Sequence, residues 1–162
     1  MRAILNAMYH ITGGLAAFFL AAIGASVIVQ VVGRQLGYTV DATEFAGFCL
    51  AASTFLALAY SFRHGSHVRV TLVVDSLPPG AKRIIEIWVC ICALAVLSWL
   101  SWNAIHYTWQ AYKFGDVSPG LLSISLWIPQ TGMVAGLVVM GVAVLDDLVN
   151  LLRNGKAEYF SN

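Results

Sequence analysis

The chain has 162 residues, of which 59% are hydrophobic and only 10% charged, with a net charge of +1. That balance excludes an ordinary water-soluble domain and a disordered chain. A charge so near zero also gives no electrostatic case for nucleic acid or an acidic partner.

The informative quantity is where the few charges fall. No charged residue lies between Arg2 and Arg34, from Phe45 to Phe62, from Ile87 to Tyr112, or from Val117 to Leu145. Each run meets or exceeds the roughly 18 apolar residues that mark a membrane helix. The expectation is an all-α integral membrane protein forming one domain over 1–162, with spans near 9–33, 43–62, 84–112 and 129–153. The first run continues far past the apolar core of a signal peptide, so it reads as a retained span. Cys49, Cys90 and Cys92 all fall inside spans and read as small apolar residues rather than as a disulfide framework.

Span one repeats small residues at Gly13, Ala17, Ala21 and Ala25. Small residues four apart let a second helix approach closely. Gly37 is placed to end this helix, and Asp41 or Thr43 to cap the next. Glu44 then sits in the first turn of span two, where a negative charge suits the helix dipole. Arg34 and Glu44 flank one tight turn. They are either an ion pair or two independent interfacial charges. Gly47, Ala51 and Ala52 give span two its own small-residue face.

A polar linker over 63–83 follows, with Arg63, His64, His67 and Arg69 close together. Val70, Val73, Val74 and Leu77 fall at i, i+3, i+4 and i+7, while Arg69, Thr71, Asp75 and Ser76 face away. A basic segment with one apolar stripe suits a short amphipathic helix lying in the bilayer interface. A solvated loop is the alternative. Pro78-Pro79-Gly80 stops the segment.

Span three is longer than a bilayer needs and must tilt or protrude. Trp99, Trp102, Tyr107, Trp109 and Tyr112 crowd its far end, as aromatic residues do at headgroup level. Lys113 to Gly120 reads as a turn, and 121–128 as a short half-buried segment. Pro129 fits the first turn of span four. That span holds Gly132 and Gly136, a GxxxG pair, and runs to about Arg153, with Gly155 placed to end it.

Arg2, Arg63, Arg69, Lys82, Arg83, Arg153 and Lys156 fall on one side of a four-span topology, and only Arg34 and Lys113 on the other. The positive-inside rule then puts both termini and the linker in the cytoplasm.

Phosphate-loop, dinucleotide, CxxC and HExxH motifs are missing from the sequence. No Asp, Glu, Lys or Arg is expected deep in a span, where an ion-coupled carrier or a minimal drug exporter would place one. A haem held between helices needs facing histidines, but His10 and His106 fall at opposite ends of their spans. His64 and His67, three apart, have no carboxylate or cysteine close by to complete a metal site. The expectation is no cofactor, no metal and no catalysis.

Several of these stretches resemble the small membrane subunit (DctQ type) of the tripartite ATP-independent periplasmic (TRAP) transporters. They are Val32-Gly-Arg-Gln-Leu-Gly37 with Glu44 after it, Arg63-His-Gly-Ser-His-Val-Arg-Val-Thr-Leu-Val-Val-Asp-Ser-Leu-Pro78, and Ser118-Pro-Gly-Leu121 ahead of Trp127. The His67-to-Pro78 stretch is the most specific. One departure is Gln130-Thr-Gly-Met-Val-Ala-Gly136, where that family often has a proline followed by small residues.

The resemblance implies a non-catalytic, multi-pass subunit in the bacterial inner membrane. In such systems a periplasmic solute-binding protein captures an organic acid, and a large permease subunit carries it inward with sodium. The small subunit packs on the large one and helps dock the binding protein. Candidate interface or structural residues are Arg34, Glu44, His67, Arg69, Asp75, Ala17, Ala21, Gly132 and Gly136. The rival readings are a stand-alone small channel or carrier and a b-type haem membrane anchor.

Overall fold

In a computed structural model the described residues are 2–38, 41–63, 79–120 and 123–154. They form four long helices: α1 Arg2–Gln35, α2 Thr43–Arg63, α3 Pro79–Phe114 and α4 Trp127–Asn154. Each is long and apolar enough to cross a bilayer. Among the described residues the only extended pairing is an isolated antiparallel bridge, Val117 with Ser125. The expected amphipathic helix around Val70 to Leu77 lies outside the described residues, as do His64, His67, Arg69, Asp75 and Gly155.

Local chemistry sets the helix ends. At the end of α1 the Tyr38 amide donates to Gly33 O at 2.9 Å and the Gly37 amide to Arg34 O at 3.2 Å. This reversal requires a left-handed residue, which Gly37 supplies at φ 84°. Asp41 caps α2, its Oδ1 accepting from the Thr43 amide at 3.0 Å. α3 opens on Pro79, whose fixed φ and missing N–H suit a first helical position. It closes on Gly115 at φ 68°, with the Asp116 amide donating to Ala111 O. α4 starts at Trp127, so Pro129 falls in its first turn as expected.

The helices pack in the order α1, α2, α4, α3, and α1 touches α4 only marginally. α1 runs antiparallel to α2 and α3 antiparallel to α4, while the central neighbours α2 and α4 run parallel, Ala52 meeting Gly132 and Phe55 meeting Gly136. Burial follows this order. In the most apolar window of α1 and of α3 only 11% is buried, against 28% in α2 and α4. The edge helices therefore leave broad apolar faces uncovered. At 36 residues α3 is about 54 Å long, well beyond the roughly 30 Å hydrocarbon core.

Candidate functional site

Three regions place the residues singled out from the sequence. The first is the seam between helices. Gly13 of α1 lies under the Tyr60 ring of α2, where an added Cβ would come within 2.6 Å of the ring. Tyr60 also meets His10 edge-on at 6.1 Å. Gly136 of α4 lies against the Phe55 backbone of α2, and a Cβ there would collide with the Phe55 carbonyl; at Gly132 it would meet Ala52 Cβ at 3.3 Å. The GxxxG pair is thus spent on an internal contact. In a bilayer, where lipid is as apolar as leucine, such close backbone approach supplies the packing attraction that holds helices together.

Ala17, Ala21 and Ala25 behave differently. Among the described side chains of α1 the buried positions are Tyr9, Thr12, Ala16 and Ser26, and these three alanines face outward. A straight helix drifts by about 40° every four residues relative to a strict four-residue stripe. A stripe that begins at Gly13 therefore leaves the α2 contact within a turn or two.

The second region is the end that carries the α1–α2 and α3–α4 turns. Arg34 is exposed, and Glu44 is half-buried with its carboxylate against Gly120 of the α3–α4 turn. Any Cβ at Gly120 would strike that carboxylate. The turn is itself ordered. The Ser118 amide donates to Ile124 O at 2.8 Å and the Leu126 amide to Asp116 O at 3.0 Å, and Ser118 is buried. The Ser118-Pro119-Gly120 stretch thus meets the acidic residue that opens α2, where the two hairpins come together at this end. Nearby, the Thr43 amide and hydroxyl hold the exposed Asp41 carboxyl below its ordinary value.

The third region, at the opposite end, was missed from the sequence. Glu86 of α3 and Asp147 of α4 are 7% and 1% exposed, both inside the membrane-crossing helices. This corrects the expectation that the spans hold no buried ionisable group. Both carboxylates lie near the helix ends, where charge-free runs give no warning of them. The signal was available in helical phase. The inner face of α4 runs through Gly132, Gly136, Ala143, Asp147 and Leu151, so extending the GxxxG seam would have placed Asp147 inside. Tyr9, 1% exposed, packs here with Ala59 and Ala143. Arg83 Nη2 donates to Leu152 O at 3.4 Å and sets the register of α3 on α4.

His106 hydrogen-bonds Gln110 at 3.2 Å on the outer face of α3, far along the bundle from His10. Trp99, Trp102, Tyr107, Trp109 and Tyr112 are all exposed, on the face that lipid would contact.

Comparison with known proteins places this geometry. A family model described as "Tripartite ATP-independent periplasmic transporters, DctQ component" matches residues 23–154. The chain is 27% identical over 125 residues to the ectoine TRAP transporter small permease protein TeaB of Halomonas elongata; the match covers 74% of this chain and 65% of that protein. It is 26% identical over 110 residues to the isethionate TRAP transporter permease protein DctMQ of Oleidesulfovibrio alaskensis, covering 68% of this chain and 17% of that one. The matched part thus spans less than two thirds of either relative. No solved structure matches the chain.

Proposed function

The chain belongs to the DctQ component family of the TRAP transporters, and from that premise we propose that it is the non-catalytic small permease subunit of a sodium-coupled, binding-protein-dependent transporter for organic acids. In this reading it packs on the scaffold of a large permease subunit in the bacterial inner membrane. Its termini and the 63–83 linker face the cytoplasm. The end with the α1–α2 and α3–α4 turns faces the periplasm and helps dock the solute-binding protein.

The observation that carries the reading is the family match across 23–154, which takes in the last part of α1 and all of α2, α3 and α4. The packing order supports it: α1 and α3 sit at the edges with most of their apolar surface uncovered. A relative named as a TRAP transporter permease protein, DctMQ, of which the matched part is only 17%, is consistent with a larger membrane protein beside this domain. The two relatives are named for different solutes, ectoine and isethionate. That fits a domain that does not itself choose the solute.

One observation favours a second reading, an independent carrier. Glu86 and Asp147 are buried carboxylates, and an ionisable group inside a membrane protein is a candidate coupling site. Reconstitution separates the two. The purified chain alone in liposomes should show no sodium-driven organic-acid uptake. Adding the large subunit and the binding protein should restore uptake, and leaving this chain out should abolish or strongly reduce it. Uptake by the chain alone, or full uptake without it, overturns the subunit reading.

A further inference from the structure

The outer face of α3 changes character along its length. Toward Pro79 it exposes apolar side chains, among them Ile84, Trp88, Ile91 and Val96. From Asn103 onward a polar stripe follows: Asn103, His106 and Gln110, at i, i+3 and i+7. Residues at that spacing share one helix face. His106 is exposed and the other two are half-buried, while the buried residues of this stretch, Ala104 and Ala111, belong to the opposite side.

The stripe bonds only its own helix. Asn103 Nδ2 donates to Trp99 O at 2.8 Å, one turn back, and Gln110 Nε2 lies 3.2 Å from His106 Nδ1. Among the described residues these are the stripe's side-chain hydrogen bonds. They leave Asn103 Oδ1, His106 Nε2 and Gln110 Oε1 to be satisfied from outside the bundle.

Depth decides what can do so. α2 has 21 residues and is about 31 Å long, hardly more than the hydrocarbon core of about 30 Å. The core must therefore run along almost the whole of α2, beginning near Thr43. α3 ends at the same side, since the Glu44 carboxylate lies against Gly120 of the turn that follows Phe114. His106 lies about 12 Å inside the end of α3, and Asn103 about 16 Å. A headgroup layer is about 5–8 Å thick on each side, so both lie beneath it. Hydrocarbon offers no hydrogen bond, and histidine, asparagine and glutamine at such depth bond across to other helices. A neighbour crossing the bilayer beside α3 is a helix whose backbone is satisfied internally, so its side chains must supply the bonds.

We propose that the stripe Asn103, His106 and Gln110 is a docking face for a membrane-spanning helix of the large permease subunit, one that carries hydrogen-bonding side chains at this depth. The proposal rests on the subunit reading, which supplies the second protein; the stripe supplies the place where it is held.

The test is recovery of the large subunit with this chain in mild detergent. A variant combining Asn103→Leu, His106→Leu and Gln110→Leu should recover several-fold less large subunit than the wild type. Its own unfolding temperature should not fall, because the stripe bonds only α3. His106→Gln, which keeps a hydrogen-bonding side chain, should recover more large subunit than His106→Leu. Recovery by the triple variant equal to the wild type overturns the docking face and leaves the subunit reading standing. A wild-type chain that recovers no large subunit overturns both. A lower unfolding temperature in the triple variant also overturns the face, since the stripe would then hold the bundle itself. Cross-linking supplies an arm that needs no loss of binding. Cys92 is the exposed thiol and is removed as Cys92→Ser. A benzophenone attached at His106→Cys in that background should then join the chain to the large subunit in native membranes. A product of two copies of this chain, or of the chain with lipid alone, overturns the proposal.

Discussion

A methyl group added at Gly136 runs into the Phe55 carbonyl, while one added at Gly132 meets only the Ala52 methyl. Replacing glycine by alanine in a helix gains about 1 kcal/mol of backbone propensity at either position. The difference between them is therefore set by the collision. Gly136→Ala should destabilise the chain by about 1–3 kcal/mol, because α2 and α4 must separate, and Gly132→Ala should be close to neutral. Thermal unfolding in detergent checks this; equal effects would show that the two glycines do not sit at different distances from α2. Asp41 gives a pH prediction. Its folded pKa lies below the ordinary value of an aspartate, first through the Thr43 amide and then through the Thr43 hydroxyl. A depressed carboxylate contributes its stabilisation above the unfolded pKa and loses it as pH falls through the folded one. The Thr43 amide resonance should thus report a titration with a midpoint below that of an ordinary aspartate, absent in Asp41→Asn.

Among the helices, α1 shows most plainly how one residue of phase decides a role. Ala16 is 7% exposed against α2, and Ala17 next to it faces outward. Ala16→Leu should lower the unfolding temperature of the chain itself. Ala17→Leu and Ala21→Leu should leave that temperature unchanged and reduce recovery of the large subunit, if the outer face of α1 is where that subunit packs. Unfolding and co-purification are measured on the same preparations. Loss of intrinsic stability in Ala17→Leu would mean that α1 is rotated from its place here. The same reasoning explains the aromatic end of α3. A 36-residue helix cannot be covered by one neighbour, so its surplus length carries exposed rings that suit the bilayer boundary.

For the whole molecule, the charge distribution predicts which end faces out. Asp116 is exposed in the α3–α4 turn and is a better reporter than Ser118, which is buried. In intact cells an impermeant thiol reagent should label Asp116→Cys, and should label Ser66→Cys only after permeabilisation. Labelling of Ser66→Cys from outside would invert the topology and remove the case for a periplasmic docking end. The close approach of Glu44 to Gly120 belongs to this scale as well, because it is a contact between two hairpins that otherwise meet mainly through α2 and α4.

By itself the sequence determined four spans and the helix-ending role of Gly37. These follow from local quantities: the length of an apolar run against bilayer thickness, and the backbone preferences of single residues. Only the tertiary structure decided the order α1, α2, α4, α3, the burial of Glu86 and Asp147, the outward turn of Ala17 and Ala21, and the close approach of the Glu44 carboxylate to Gly120. The reason is physical. In water, an apolar stripe reveals the buried face of a helix because the other face must be polar. In a bilayer both faces meet apolar surroundings, so hydrophobicity no longer distinguishes them. Which face is buried is then decided by shape, by glycines that admit a neighbouring helix and by rings that fill the space above them.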